Sequence, residues 1–289
     1  MATKTITTKS TTITPSTTPA SGSSPKTTGK KFDVFFETIN VSQIKNLFEA
    51  LKEIVDDASF EFDKKGLRIF TLDKDHVLAV HVRINGDKLN KYFCEKPVAL
   101  GVNMKIFYQL IKIIEKDDIL TLSHEEDSNR LGIFISNESR KIKTRYYLNL
   151  MDGNKEHRNL PDIVYDSVVM IPAETFHKIC RHMSEWSKEI EIKCTDSQLT
   201  LSCEGDAVDQ TTTIGESTDG LVFTRNENPE AIIEGLFSLK YLILFTKCSK
   251  LCEVIHVHLQ NDLPLTIVYK IGSIGDIKLC LAPSTQKST

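Results

Sequence analysis

Positive side chains recur in this sequence at a spacing that suits the binding of phosphate groups. Lys45 and Lys52 are seven residues apart, as are Lys105 and Lys112, and Lys240 and Lys247. On a helix each pair falls close to one side. Another segment offers His177, Lys178, Arg181 and His182 with no acid among them, and residues 237–250 also contain no acid. Glu49 interrupts the first pair. Lysine is a flexible point charge that meets a polyanion at its phosphates, and nothing here resembles a base-reading helix with Asn or Gln beside Arg. From pattern alone two readings stand: four ordinary solvated helix faces, or a basic surface segregated for a polyanion.

Covalent chemistry finds little support. The sequence has no G-x-x-x-x-G-K-[ST], no G-x-G-x-x-G after a strand, no H-E-x-x-H and no G-x-S-x-G. We therefore expect no enzyme, no catalytic residue and no cofactor. His124, Glu125, Glu126 and Asp127 could attract a divalent cation, but acids followed by Ser-Asn fit a solvated hairpin turn better, and no metal site is expected. Gly272-Ser273-Ile274-Gly275 reads as a turn between strands, and His256 and His258 as sheet-surface residues.

The chain has 289 residues, 40% hydrophobic and 26% charged, enough to bury one large core or two medium ones. An uncharged apolar run of about 18 residues, the length a membrane helix needs, is absent from the sequence. The N-terminus also lacks the apolar segment of a secretory signal. Seven cysteines without a C-x-x-C pair argue against a disulfide framework or zinc cage, and for buried free thiols in a reducing compartment. The net charge is −3, and residues 1–30 hold four lysines and no acid, so the rest of the chain carries −7. Such a body repels nucleic acid unless its bases are gathered on one surface.

Residues 1–31, rich in Thr and Ser, are expected to form a disordered tail. From Phe32 short strands alternate with compact helices at 42–51, 104–114, 173–183 and 238–248. Each helix carries apolar residues at i, i+3, i+4 and i+7, for example Ile44, Leu47, Phe48 and Leu51. Strands read at 190–194, 199–203, 254–259 and 263–271 are half-polar, which favours antiparallel sheets covered by helices on one face. The polar segment 152–162 marks a connector, placed at 151–163 between domains 32–150 and 164–284, with a short tail at 285–289. Each domain repeats a strand-helix-strands unit, so the fold class is α+β.

Gly66–Val77 (GLRIFTLDKDHV) resembles the signature of proliferating cell nuclear antigen, the eukaryotic-type DNA sliding clamp. Leu100-Gly101-Val102-Asn103, Phe176-His177-Lys178-Ile179-Cys180-Arg181, residues 237–247 (FSLKYLILFTK) and the ending with Pro264, Leu265, Tyr269, Ala282 and Pro283 are similar to that family in the same order. The resemblance spans 32–284.

It implies the DNA-clamp fold: a homotrimeric ring of two-domain subunits, helices inside and sheets outside, that encircles duplex DNA as a processivity factor. Lys45, Lys52, Lys112, Lys178, Arg181, Lys240 and Lys247 match the family's DNA-facing positions; Gln109 stands where another base is usual, and Lys105 lies one turn away. Leu72, His76, Val77, Leu160, Pro161, Pro264, Ala282 and Pro283 match a pocket for partner peptides, from which Arg158 and Cys280 depart. Ring closure falls between edge strands near 143–150 and 208–214. The implied partners are double-stranded DNA, a DNA polymerase, a clamp loader and other peptide-motif proteins, with no membrane, in a nucleus or a cytoplasmic viral replication site. A subunit of a heterotrimeric checkpoint clamp and a monomeric viral processivity factor are the alternatives.

Overall fold

A computed structural model of the protein describes residues 32–73, 75–152, 163, 165–195, 197–218, 220–226 and 232–284. The expected tails at 1–31 and 285–289, and connector residues 153–162, lie outside the described residues.

The chain builds one unit four times. The first is β1 (Phe32–Thr38), α1 (Val41–Ile54), β2 (Asp57–Asp63), β3 (Gly66–Leu72) and β4 (Leu78–Asn85). After a short strand β5 (Lys91–Cys94) comes β6 (Val98–Asn103), α2 (Met104–Ile111), β7 (Ile119–Glu125), β8 (Arg130–Asn137) and β9 (Ile142–Asn149). The third unit is β10 (Ser167–Pro172), α3 (Ala173–Met183), β11 (Glu189–Cys194), β12 (Gln198–Cys203) and β13 (Gln210–Gly215). Then β14 (Val222–Asn226) precedes β15 (Ile233–Ser238), α4 (Leu239–Phe245), β16 (Val254–Leu259), β17 (Leu265–Ile271) and β18 (Gly275–Leu281).

Units interlock in pairs, because the first strand of each joins the last three strands of its neighbour. The sheets run β5-β1-β7-β8-β9, then β14-β10-β16-β17-β18-β4-β3-β2-β6, then β13-β12-β11-β15. The middle sheet crosses between the halves through an antiparallel seam in which Gly275 faces Ile84 at one end and Leu281 faces Leu78 at the other. Gly275 has no room for a side chain: a Cβ there would lie 1.9 Å from the Arg83 carbonyl oxygen. Alternating burial along β4, β10 and β16 puts one face of each strand into the core, as half-polar strands require.

Helices close that core. α1 packs beside α2, α3 beside α4, and α1 also meets the tight 3-10 turn Thr246–Lys250 that follows α4. This makes one helical layer across both halves. In the first half Phe48, Phe60 and Phe107 meet at ring-centroid distances of 4.6 to 5.5 Å, within the range in which edge-to-face contact adds to area burial.

The helix at 173–183 agrees with its periodicity. Two others stop short of the expected ends. α2 ends at Ile111, and Lys112 caps it. α4 ends at Phe245, where the Thr246 hydroxyl donates to the Ile243 carbonyl at 2.7 Å and the chain tightens into the 3-10 turn. A hydroxyl bonded back to the preceding turn competes with the regular helical ladder. All seven cysteines are free and six are buried; burial pushes the Cys180 thiol up to about 12.

Candidate nucleic-acid interface and peptide pocket

All eight basic residues singled out in the sequence sit on the helical layer or the turns that end it, but they are not equivalent. Lys45 is half-buried and its Nζ donates to the Ile114 carbonyl at 3.1 Å. Lys52, also half-buried, pairs with Glu53 and lies 5.1 Å from the centre of the Tyr108 ring. Lys105 is exposed and pairs with Asp56 at 2.7 Å. Gln109 is exposed beside it. Glu49, the acid that interrupts the first lysine pair, takes Lys250 at 2.9 Å.

In the second half the picture differs. Lys178, Arg181, Lys240 and Lys247 are exposed, and among the described residues none makes an ion pair, although Lys247 acts on Glu53 at longer range; Lys112 in the first half also makes no ion pair. Lys112 caps α2 in helical conformation with its amide still on the Tyr108 carbonyl, whereas Lys247 lies in the 3-10 turn beyond α4, so the seven-residue spacing does not align it with Lys240 as an unbroken helix would.

His177 does not belong to the exposed basic face. It is 1% exposed, on the side of α3 that also buries Ala173, Phe176 and Cys180. Its Nε2 shares a 2.8 Å hydrogen bond with the Tyr269 hydroxyl. Burial, with Arg181 adding repulsion, pushes its pKa down to about 4, so it brings no charge near neutral pH. His182 stays exposed, with Nδ1 2.8 Å from Gln210 Oε1.

The 124–127 turn is also less solvated than expected. His124 is 5% exposed, with Nδ1 2.8 Å from Asp33 Oδ1 and Nε2 2.8 Å from the Ser128 carbonyl. Burial opposes its charge, yet the Asp33 carboxylate outweighs that and holds the pKa above the usual histidine range. Among the described residues no cluster of His, Cys, Asp and Glu is suited to a metal ion.

The pocket residues gather because four adjacent strands end together. Leu72 pairs across to Ala79, Leu78 to Leu281, and Leu281 to Leu265. That register brings Leu72 and Val77 beside Ala282 and Pro264. The Ala282 amide donates to the Val77 carbonyl at 2.9 Å, and after Pro283 the Ser284 amide donates to Leu236 O at 2.7 Å. Leu72 and His76 also border a cleft of about 380 Å³, walled by Ser59, Glu61, Phe70 and Met151. Leu160, Pro161 and Arg158 lie outside the described residues. Cys280 is buried beneath this corner, its thiol 3.1 Å from Thr266 Oγ1.

Four interlocked units with their helices in one layer define the DNA-clamp fold. The description "Proliferating cell nuclear antigen, N-terminal domain" matches residues 35–157, and "Proliferating cell nuclear antigen, C-terminal domain" matches residues 159–284. The chain is 30% identical over 251 residues to a "Probable DNA polymerase sliding clamp 1" of Paramecium bursaria Chlorella virus 1, a match covering 85% of this chain and 95% of that protein. It is also 30% identical over 247 residues to the proliferating cell nuclear antigen of Chaetomium thermophilum, covering 84% and 94%. The chain belongs to the proliferating cell nuclear antigen family.

Proposed function

We infer that the protein is a DNA sliding clamp: a subunit of a closed homotrimeric ring that encircles duplex DNA, holds a DNA polymerase to its template and recruits replication and repair proteins. The observation that carries the ring is the seam between β4 and β18. These are the last strands of the first and fourth units, and they pair antiparallel. The last strands of the second and third units, β9 and β13, each keep one unpaired edge among the described residues. A second copy offering its β13 to β9 repeats the seam, and a head-to-tail contact that closes by rotation yields a ring in which neither β9 nor β13 keeps an open edge.

Charge supports that pairing. β9 carries Lys143 and Arg145, and the turn before it Lys141 and Arg140, the latter paired with Glu115, whereas residues 195–224 contain no Lys or Arg and include Glu204, Asp206, Asp209 and Glu216. Large apolar side chains stand exposed near both edges: Ile142 and Tyr147 on β9, Trp186 and Val208 near β13.

A ring holds DNA by topology, so its basic lining need only be diffuse. Phosphate contacts from Lys112, Lys178, Arg181, Lys240 and Lys247 are independent of sequence and allow sliding. Lys45, Lys52 and Lys105 complete the lining after giving up local partners. The corner of Leu72, His76, Val77, Pro264, Ala282 and Pro283, with Leu160 and Pro161, receives a peptide of the polymerase, the loader or another partner. Tethering raises the partner's local concentration at the template. The site of action is wherever that template is replicated.

Light scattering gives the assembled mass, and loading onto nicked circular DNA followed by linearisation tests encirclement. We expect a trimer that is retained on circles and lost from linear ends. A monomer at micromolar concentration, or equal retention on both topologies, overturns the reading.

A further inference from the structure

The turn between β3 and β4 is organised around one carboxylate. Asp73 Oδ1 accepts the Val77 and Leu78 amides, each at 2.8 Å. The Asp73 amide donates to Leu78 O at 2.9 Å, and the His76 amide to Asp73 O at 3.1 Å. These bonds hold His76 at φ 58, a left-handed conformation that non-glycine residues seldom adopt. The other carboxylate oxygen looks across to the second half of the molecule. Asp73 Oδ2 accepts the Tyr241 hydroxyl at 2.7 Å, and Asp75 Oδ2 lies 3.3 Å from the same hydroxyl.

Tyr241 stands in the first turn of α4 and is 7% exposed. The Nζ of its neighbour Lys240 sits 5.1 Å from the centre of its ring. Thus one side chain touches a basic residue of the DNA-side helix at its ring and the pocket turn at its hydroxyl. The bond to Asp73 and burial both push the phenol well above its ordinary pKa. On the other side, desolvation of Asp73 is outweighed by the Leu78 amide and the Tyr241 hydroxyl, which hold the carboxyl low.

We propose that Tyr241 is a positioning residue for the peptide pocket: from the second half it fixes the turn that presents Leu72, His76 and Val77, and it ties that turn to the DNA-facing helix. This rests on the pocket reading above. Asp73 alone orders the turn locally, but the Tyr241 hydroxyl sets where the ordered turn sits against Ala282 and Pro264.

The test uses the full chain and Tyr241→Phe, which keeps the ring. Two quantities are read: amide hydrogen exchange at Val77 and Leu78, and affinity for a peptide selected by display on the wild-type protein and dependent on Leu72. Tyr241→Phe is expected to speed exchange at both amides about tenfold and to weaken the peptide by about three- to tenfold, the scale of one ordinary intramolecular hydrogen bond. Exchange along the β4–β18 seam and the assembled mass stay as in wild type, which a general loosening of the interface would not allow. Adding Tyr241→Phe to Asp73→Ala costs less than Tyr241→Phe alone, since the main partner is already gone and only the longer contact to Asp75 is left to lose. Asp73→Asn keeps its carbonyl on the two amides and offers its amide to the phenol oxygen, so exchange returns to within about twofold of wild type. Wild-type exchange and affinity in Tyr241→Phe overturn the proposal. If no selected peptide depends on Leu72, the pocket reading fails instead, and exchange alone decides the tether.

Discussion

The two halves of the molecule repeat the same units yet treat their polar residues in opposite ways. On the helical layer of the first half, Lys45, Lys52 and Lys105 are taken up by a carbonyl, Glu53 and Asp56. In the second half Lys178, Arg181, Lys240 and Lys247 have no such partner among the described residues. The cores differ too. The first half buries a histidine against a carboxylate, His124 with Asp33, and the second buries one against a neutral phenol, His177 with Tyr269. Repetition of the fold therefore leaves the chemistry of each half free to diverge: both halves bury an apolar core, but the second supplies most of the positive charge that has no local ion pair.

The largest test of this contrast is in the cores. Phe107→Ala, which opens the three-ring cluster of the first half, is expected to cost about 4 kcal/mol. Tyr269→Phe, which keeps the volume and leaves His177 without its partner, should cost about 1–3 kcal/mol. Denaturant titration of both variants reads the difference, and equal costs would remove the distinction between the cores.

The buried histidines give a pH signature of opposite sign. His177 has a folded pKa near 4 against about 6.5 unfolded, so the unfolded chain binds the extra proton between those values and stability falls as pH drops through that window. The loss is on the order of 3 kcal/mol. His81 and His258, also pushed down to about 4, add to the same limb. His124 is shifted upward, so its contribution is complete below about 6.5 and is lost as pH rises through its folded value. Relative to wild type, His177→Gln should flatten the acid limb of a stability–pH profile and His124→Gln the limb just above 6.5. Matching profiles for the two variants would contradict the opposed signs.

Smaller effects are expected at the DNA. Lys178→Glu with Arg181→Glu should weaken binding to short linear duplex DNA, where no topological hold acts, about tenfold at 0.1 M salt, because two unpaired charges are reversed. Lys52→Glu with Lys105→Glu should weaken it only about threefold, since both lysines must first leave a local acid. A larger loss in the first half would show that its ion pairs open without cost on DNA.

Much of this architecture could be read in the chain before any coordinates. The i, i+3, i+4, i+7 stripe of Ala173–Met183 and the alternation of Val254–Leu259 are local patterns, and local patterns fix local structure. What stayed hidden depends on contacts far along the chain. Nothing near His177 signals that Tyr269 waits 92 residues later, nor does the Asp73 turn signal a hydroxyl 168 residues away. The early end of α4 was closer to legible, since Thr246 is a residue that bonds back to its own helix. Lys52 looked solvent-facing from its spacing, and only the neighbouring Tyr108 and Glu53 draw it down onto the surface.

The seam at Gly275 has a mechanical consequence. Within one chain the joint between halves is held by seven residue pairs from Leu78–Leu281 to Ile84–Gly275, by Asn46 and Glu49 gripping Lys250 on the helical side, and by the Tyr241 hydroxyl on Asp73. The two halves of one chain therefore move as one stiff body, and in the ring proposed above any strain passes to the joints between subunits rather than into a subunit's own shape.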